Sequence, residues 1–147
     1  MAKAGVYYSH CYDSSAGGIT EIAARVEWGV CLRSEGDVCF LRTSGRDLGA
    51  FPDSIFDLVC AVDSFPYLFI AGLADLHVHE AARVLKPGGN LIVLNYSYRG
   101  DEDADRADIL RLARDLGLTV RRNGTRDFEL WDGISFLLQK SRERNGT

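Results

Sequence analysis

Two nearly continuous apolar runs constrain this chain more than any other feature: DLVCAVDSF at 57–65, which stops being apolar at Asp63, and NLIVLN at 90–95. Each is short and lacks the polar alternation of a half-wet strand. Each therefore reads as a strand buried on both faces, as in a parallel sheet. Between them, 72–85 is patterned as a helix, with Ala74, Val78, Ala81 and Leu85 on one face. Lys86 suits the negative end of its dipole, and Pro87-Gly88-Gly89 stops it. A strand, a helix and a second strand in that order make the repeating unit of an α/β sheet.

The rest of the chain continues the alternation. Residues 5–12 are β-prone and end at Asp13. A helical stripe follows at Ile19, Ile22, Ala23 and Val26, with Asp13, Ser14 or Ser15 available as its cap. DVCFLRT at 37–43 reads as the next strand, and SGRDLGAFPDS as a turn-rich loop. In 101–117 acids open a helix, Arg111 and Arg114 close it, and Gly117 follows as its stop. LTVRR, DFELW and ISFLLQ read as closing strands, the last two joined at Asp132-Gly133, a hairpin dipeptide. The expected fold is a single α/β domain over 1–140 with a mainly parallel sheet, an antiparallel C-terminal hairpin and a flexible tail at 141–147.

Composition narrows the class of function. Apolar residues make up 46% and charged residues 26%, which suits an ordinary globular protein. No run approaches the ~18 apolar residues of a membrane helix. The first residues lack a secretory pattern, so a cytoplasmic location is expected. Net charge is −4 and the arginines are dispersed, which gives no basic footprint for nucleic acid. Cys11, Cys31, Cys39 and Cys60 form no Cys-x-x-Cys pair and read as small buried hydrophobes. His77 and His79 lie two apart on a helix and so face apart, which disfavours a shared metal.

Open α/β sheets take ligands beyond the carboxyl ends of their strands. The residues there are 13–16, 44–47, 63–67 and 95–98. Acids at such positions accept hydrogen bonds from ribose hydroxyls, and aromatic faces hold a base or a sulfonium. Polar strand ends also occur in every wet loop, so the pattern has a purely structural explanation as well.

SIFDLVCAVDSFPYLF followed by EAARVLKPGGNLIVLNYS resembles the central part of class I S-adenosylmethionine-dependent methyltransferases, and the likeness spans positions 6 to 140. WDG at 131–133 resembles a subgroup of unassigned substrate. The resemblance implies a Rossmann-like sheet, S-adenosylmethionine as cofactor and methyl transfer to a small-molecule acceptor. It implies that Asp13, with Ser14 beside it, ends the second strand and binds the cofactor ribose; a helix cap is the alternative role. Asp47 falls on the adenine side, with Gly45 and Arg46 as the alternative contacts because Asp47 is closely spaced to the next strand, and Asp63, Ser64 and Phe65 fall beside the reacting methyl. Tyr67, Asn95, Tyr96 and Tyr98 are placed at the acceptor pocket, with packing as the equal alternative for Phe65 and Tyr67. No residue is assigned as the catalytic base. EAARVLKPGG is scaffold, with Glu80 and Arg83 as a helix-surface pair contributing ~0.2–0.5 kcal/mol.

One family feature is missing from the sequence. No glycine-rich G-x-G-x-G loop occurs; SSAGG at 14–18 is the only candidate. The 43 residues separating Asp13 from Phe56 suit a start at the family's second strand. The other register makes 6–26 the first strand–helix unit and VCLRS at 30–34 the second strand. A start at the second strand describes a truncated member without the first strand and helix, and leaves a gap in the middle of the sheet. The gap is filled by direct pairing of the second and fourth strands, by residues 5–12, or by a homodimer or partner chain. Two functions follow: methyl transfer, or a non-catalytic methyltransferase-like scaffold or partner subunit with weak or no cofactor binding.

Overall fold

The two apolar runs are neighbours near the middle of one sheet. A computed structural model of the chain describes residues 4–8, 28–32, 39–41, 47–96, 100–129 and 131–142, the first three as backbone only. Its strands are β1 Ala4–Tyr8, β2 Trp28–Leu32, β3 Cys39–Leu41, β4 Phe56–Val62, β5 Leu85–Tyr96, β6 Leu118–Thr125 and β7 Ile134–Lys140. They lie in the order β3-β2-β1-β4-β5-β7-β6. The centre is parallel: β4 pairs with β1 on one side and β5 on the other. The C-terminal side is antiparallel, as expected, but the strand paired with β7 at the edge is β6 and not 127–131.

The N-terminal side departs from a continued parallel layer, because β1, β2 and β3 pair antiparallel in succession. Chain length gives the reason for the second of these pairings. A parallel step needs a crossover of about a dozen residues, and only residues 33–38 separate β2 from β3. The middle of the sheet has no gap. β1 is hydrogen-bonded to both β2 and β4, so a strand close to the N-terminus takes the central slot and pairs the backbone groups of β4. No partner chain is needed to complete the sheet there.

Three helices are described: α1 Phe65–Ile70, α2 Ala74–Val84 and α3 Glu102–Asp115. α2 is the helix expected over 72–85, and it gives way to β5 without a linker. Lys86-Pro87-Gly88-Gly89 is a bulge within the strand rather than a turn before it. The β4–β5 register jumps there, from Phe56 opposite Leu85 to Leu58 opposite Asn90. Gly88 has φ +82°, and a Cβ on Gly89 would stand 2.9 Å from the Lys86 carbonyl oxygen. α3 starts at Asp101, whose carboxylate accepts from the Ala104 amide at 3.0 Å.

The expected strand DFELW is not one. β6 runs on to Thr125, and 126–133 is the connection to β7. The alternation of apolar residues in DFELW imitates a strand, yet the partner it would need, β7, is already paired on both sides.

The sheet buries one face under the helices. Val59, Ala61, Leu91, Val93, Phe136 and Leu138 join Val78 and Ala81 of α2 and Ile109 and Leu112 of α3 in a single core. α2 and α3 are further linked by Asp75 and Arg111 at 3.0 Å. The other phase of the same strands is half-buried: Cys60, Val62, Ile92, Leu94 and Leu137, with Leu58 37% exposed. Among the described residues no helix is long and apolar enough to cross a membrane.

Candidate functional site

The carboxyl ends of β4 and β5 meet at a pair of polar side chains. Asp63 follows β4, and Asn95 stands near the end of β5. Both hold the left-handed backbone, φ +54° and +56°. Asp and Asn are the non-glycine residues that tolerate this region best. The turns bring the side chains together, and the Asn95 amide donates to the Asp63 carboxylate. The Asp63 amide donates to the Leu94 carbonyl at 3.2 Å, fixing the exit of β4 against β5. Asn95 Oδ1 in turn accepts from the Gly133 amide at 3.1 Å, tying the β6–β7 connection to the same rim.

Ser64 comes next. It is 3% exposed, and its Oγ has no hydrogen-bond partner among the described residues. An unsatisfied buried hydroxyl is costly, by about 1–3 kcal/mol, and a bound group that completes it is one explanation for its persistence. Beyond it Phe65 and Pro66 open α1. Phe65 is 2% exposed and Tyr96 1%. Their rings lie 6.0 Å apart, with Phe69 5.8 Å and Phe136 5.9 Å from Tyr96. Phe65 and Tyr96 are thus core aromatics under the rim, which is the packing alternative for Phe65. Tyr67 is half-buried on α1.

The loop leading from the β3 side into β4 is held differently. Asp47 is exposed, and its Oδ1 accepts from the Gly49 amide at 2.9 Å within its own turn. Its neighbour Leu48 is buried and donates its amide to Glu80 Oε2 at 3.1 Å. Arg83 completes the hold. Its guanidinium donates to both Glu80 oxygens at 2.9 and 2.8 Å, to the Leu48 and Phe51 carbonyls at 3.0 and 2.9 Å, and to Asp53 at 2.7 Å. The hydrogen bonds and charge of Arg83, with the Leu48 amide, keep the Glu80 carboxyl below its ordinary range against the cost of burial. Glu80 and Asp53 raise the Arg83 guanidinium correspondingly. The E-x-x-R pair is therefore a partly buried clamp on residues 48–53, not a surface decoration. Its i,i+3 spacing was readable in the sequence, but the carbonyls it grips were not.

Of the residues expected at the rim, the fold brings Asp63, Ser64 and Asn95 together, and it adds Gly133. Asp47 bonds locally. Asp13, Ser14, Gly45, Arg46 and Tyr98 lie outside the described residues. Cys60 is half-buried mid-strand, and burial pushes its thiol up, away from the reactive thiolate.

The family model described as a methyltransferase domain matches residues 1–93. No curated protein shows a significant match. Several solved structures share the fold. One is a chain from the complex between the Haloferax volcanii Trm112 methyltransferase activator and a candidate methyltransferase. It has a TM-score of 0.52 and 21% identity, covering 75% of this chain and 64% of that one. A second is a SAM-dependent methyltransferase from Methanosarcina mazei, with a TM-score of 0.53 and 16% identity over 76% of this chain and 71% of that one. A third is an O-methyltransferase family protein from Burkholderia thailandensis, with a TM-score of 0.52 and 23% identity over 71% of this chain and 36% of that one. The chain spans less than two thirds of the length of the first and third of these.

Proposed function

The chain belongs to the methyltransferase domain family, and from that premise we propose that it is an S-adenosylmethionine-dependent methyltransferase acting on a small-molecule acceptor in the cytoplasm. The observation that carries this reading is the Asp63–Asn95 pair with the unsatisfied Ser64 hydroxyl at the carboxyl ends of two adjacent parallel strands. These groups fit the cofactor: a carboxylate oriented by an amide, and a buried hydroxyl still able to bond.

When bound, S-adenosylmethionine supplies the electrophilic methyl on its sulfonium sulfur. Asp63 and Ser64 hold the ligand's polar groups, and Asn95 fixes the direction of the Asp63 carboxylate. Asp13 and Ser14 would take the ribose, and Gly45, Arg46 and Asp47 the adenine side. Tyr67 and Tyr98 would border the acceptor, with Tyr96 supporting them from the core. The protein's contribution is chiefly orientation, because a near-attack geometry alone accelerates transfer greatly.

The absence of a glycine-rich loop favours a second reading, a non-catalytic scaffold or partner subunit. The Haloferax volcanii relative is described in a complex with an activator, and a partner chain supporting this fold would suit that reading. Titration calorimetry with S-adenosylmethionine and its demethylated product separates the two. Micromolar binding that is lost in Asp13→Ala supports the enzyme. No heat at millimolar ligand leaves the scaffold.

A further inference from the structure

On the face of the sheet away from the described helices, a cavity of ≈ 350 Å³ opens over β4, β5, β6 and β7, with Asp127 and Phe128 at its edge. Its walls are apolar, with Cys60, Ile92, Leu94 and Leu137 contributing. Its one buried polar group is Ser135, 2% exposed, whose Oγ has no hydrogen-bond partner among the described residues. At the exposed side Arg122 pairs with Asp127 at 2.9 Å, so the charges there neutralise one another, and Phe128 stands beside them.

An apolar concavity with a single placed hydrogen-bonding group is the make-up of a small-molecule site. We propose that this cavity binds a compact, neutral, largely apolar molecule whose one polar group bonds to Ser135 Oγ. The size of the cavity limits the ligand to a few fused rings or a short branched chain. The paired charges argue against an ionic ligand, whose counter-charge would find no partner. Asp63, Ser64, Asn95 and Gly133 of the rim are not among the residues that line the cavity. Ser135 and Leu137 alternate along β7 with Phe136, which joins the helix-side core and also contributes to the cavity wall.

The test uses the full chain and 2-naphthol, two fused rings with one hydroxyl, titrated by its own fluorescence and by ligand-detected NMR. Saturable one-to-one binding is expected, with a dissociation constant on the order of 10⁻⁴ M for so small a ligand. Leu137→Trp, which fills the cavity, should weaken it at least tenfold; if that variant melts early, Ile92→Phe fills the same space from β5. Ser135→Ala should weaken binding by roughly three- to tenfold, the effect of one hydrogen bond. In the absence of probe the same change should raise the melting temperature, because it removes a buried unsatisfied group. Unchanged affinity in Leu137→Trp or in Ser135→Ala overturns the proposal. So does a failure to bind, or a concentration-dependent dimer in sedimentation that Leu137→Trp abolishes, which would make the cavity part of a contact between copies. Titration of S-adenosylmethionine against the same variants should be unaffected, so this site and the rim fail or succeed separately.

Discussion

Among the carboxylates of this molecule that bond to partners across the fold, Glu80 and Asp63 are used in opposite ways. Glu80 is buried, receives the Leu48 amide and both arms of Arg83, and has its capacity filled. Asp63 sits half-buried on a left-handed turn and accepts from the Asn95 amide, with an unsatisfied serine hydroxyl next to it. A saturated acid holds chain segments together. An unsaturated one beside an open polar group, at the end of parallel strands, is placed to meet something else. The contrast separates a structural clamp from a candidate binding rim without reference to any ligand.

The contrast can be broken in order of effect. Arg83→Ala should cost about 3 kcal/mol by urea denaturation, since it strands a buried carboxylate and frees the Leu48 and Phe51 carbonyls. A loss below the ~1 kcal/mol of a surface pair would remove the clamp from the argument. Gly133→Ala comes next. Its Cβ would stand 2.5 Å from Asn95 Oδ1 and 2.8 Å from the Tyr96 amide nitrogen. Overpacking of that kind costs about 1–3 kcal/mol, and the displaced Asn95 should weaken cofactor binding as well. An alanine variant equal to the parent in both measurements would show that the 126–133 connection is not tied to the rim.

Acid titration sharpens the same comparison. The folded-state pKa of Glu80 lies below its ordinary value of 4.5, so its contribution is fully present above that value and is lost as pH falls through the depressed pKa. Thermal melts below pH 4.5 should therefore fall more steeply in the parent than in Glu80→Gln, where this group no longer titrates. Parallel curves would deny Glu80 its linkage. The smallest effect on stability is expected from Asp63→Asn, within about 1 kcal/mol, because an amide oxygen still accepts from Asn95 and Asn tolerates the left-handed turn. Its effect on S-adenosylmethionine binding, read by calorimetry, should be at least tenfold. A change that destabilises without touching affinity would reverse the roles assigned to the two acids.

What was legible in the sequence follows from where burial dominates. The apolar runs at 57–62 and 90–95 read as strands of a parallel layer, and they are adjacent parallel strands, although only one of their two faces is buried and the other is half-buried. α2 and α3 were legible from stripes and end charges. The N-terminal pairings were not, because the direction of short strands is set by connection length and by neighbours far along the chain. α1 went unread because Phe65-Pro66 looks like a loop until Pro is seen at its permitted place in the first turn. Asp132-Gly133 reads as a tight turn in the sequence, yet Gly133 is required for its close approach to Asn95 and Tyr96. At the rim, the polar residues after β4 and β5 were picked out by strand order alone. Their contact depends on two positive φ angles that no local pattern announces.

The junction at Val84 and Leu85, where the last residue of α2 adjoins the first of β5, has a further consequence for how this chain can vary. No slack separates helix from strand there. One extra residue that the Lys86–Gly89 bulge failed to absorb would slide 90–95 by a single step and turn Leu91 and Val93 outward. The seam is closed to insertion, while the connection between β6 and β7 is anchored at Gly133 and has room to lengthen only ahead of that anchor. Descendants of this sequence should differ in length at the second place and agree at the first.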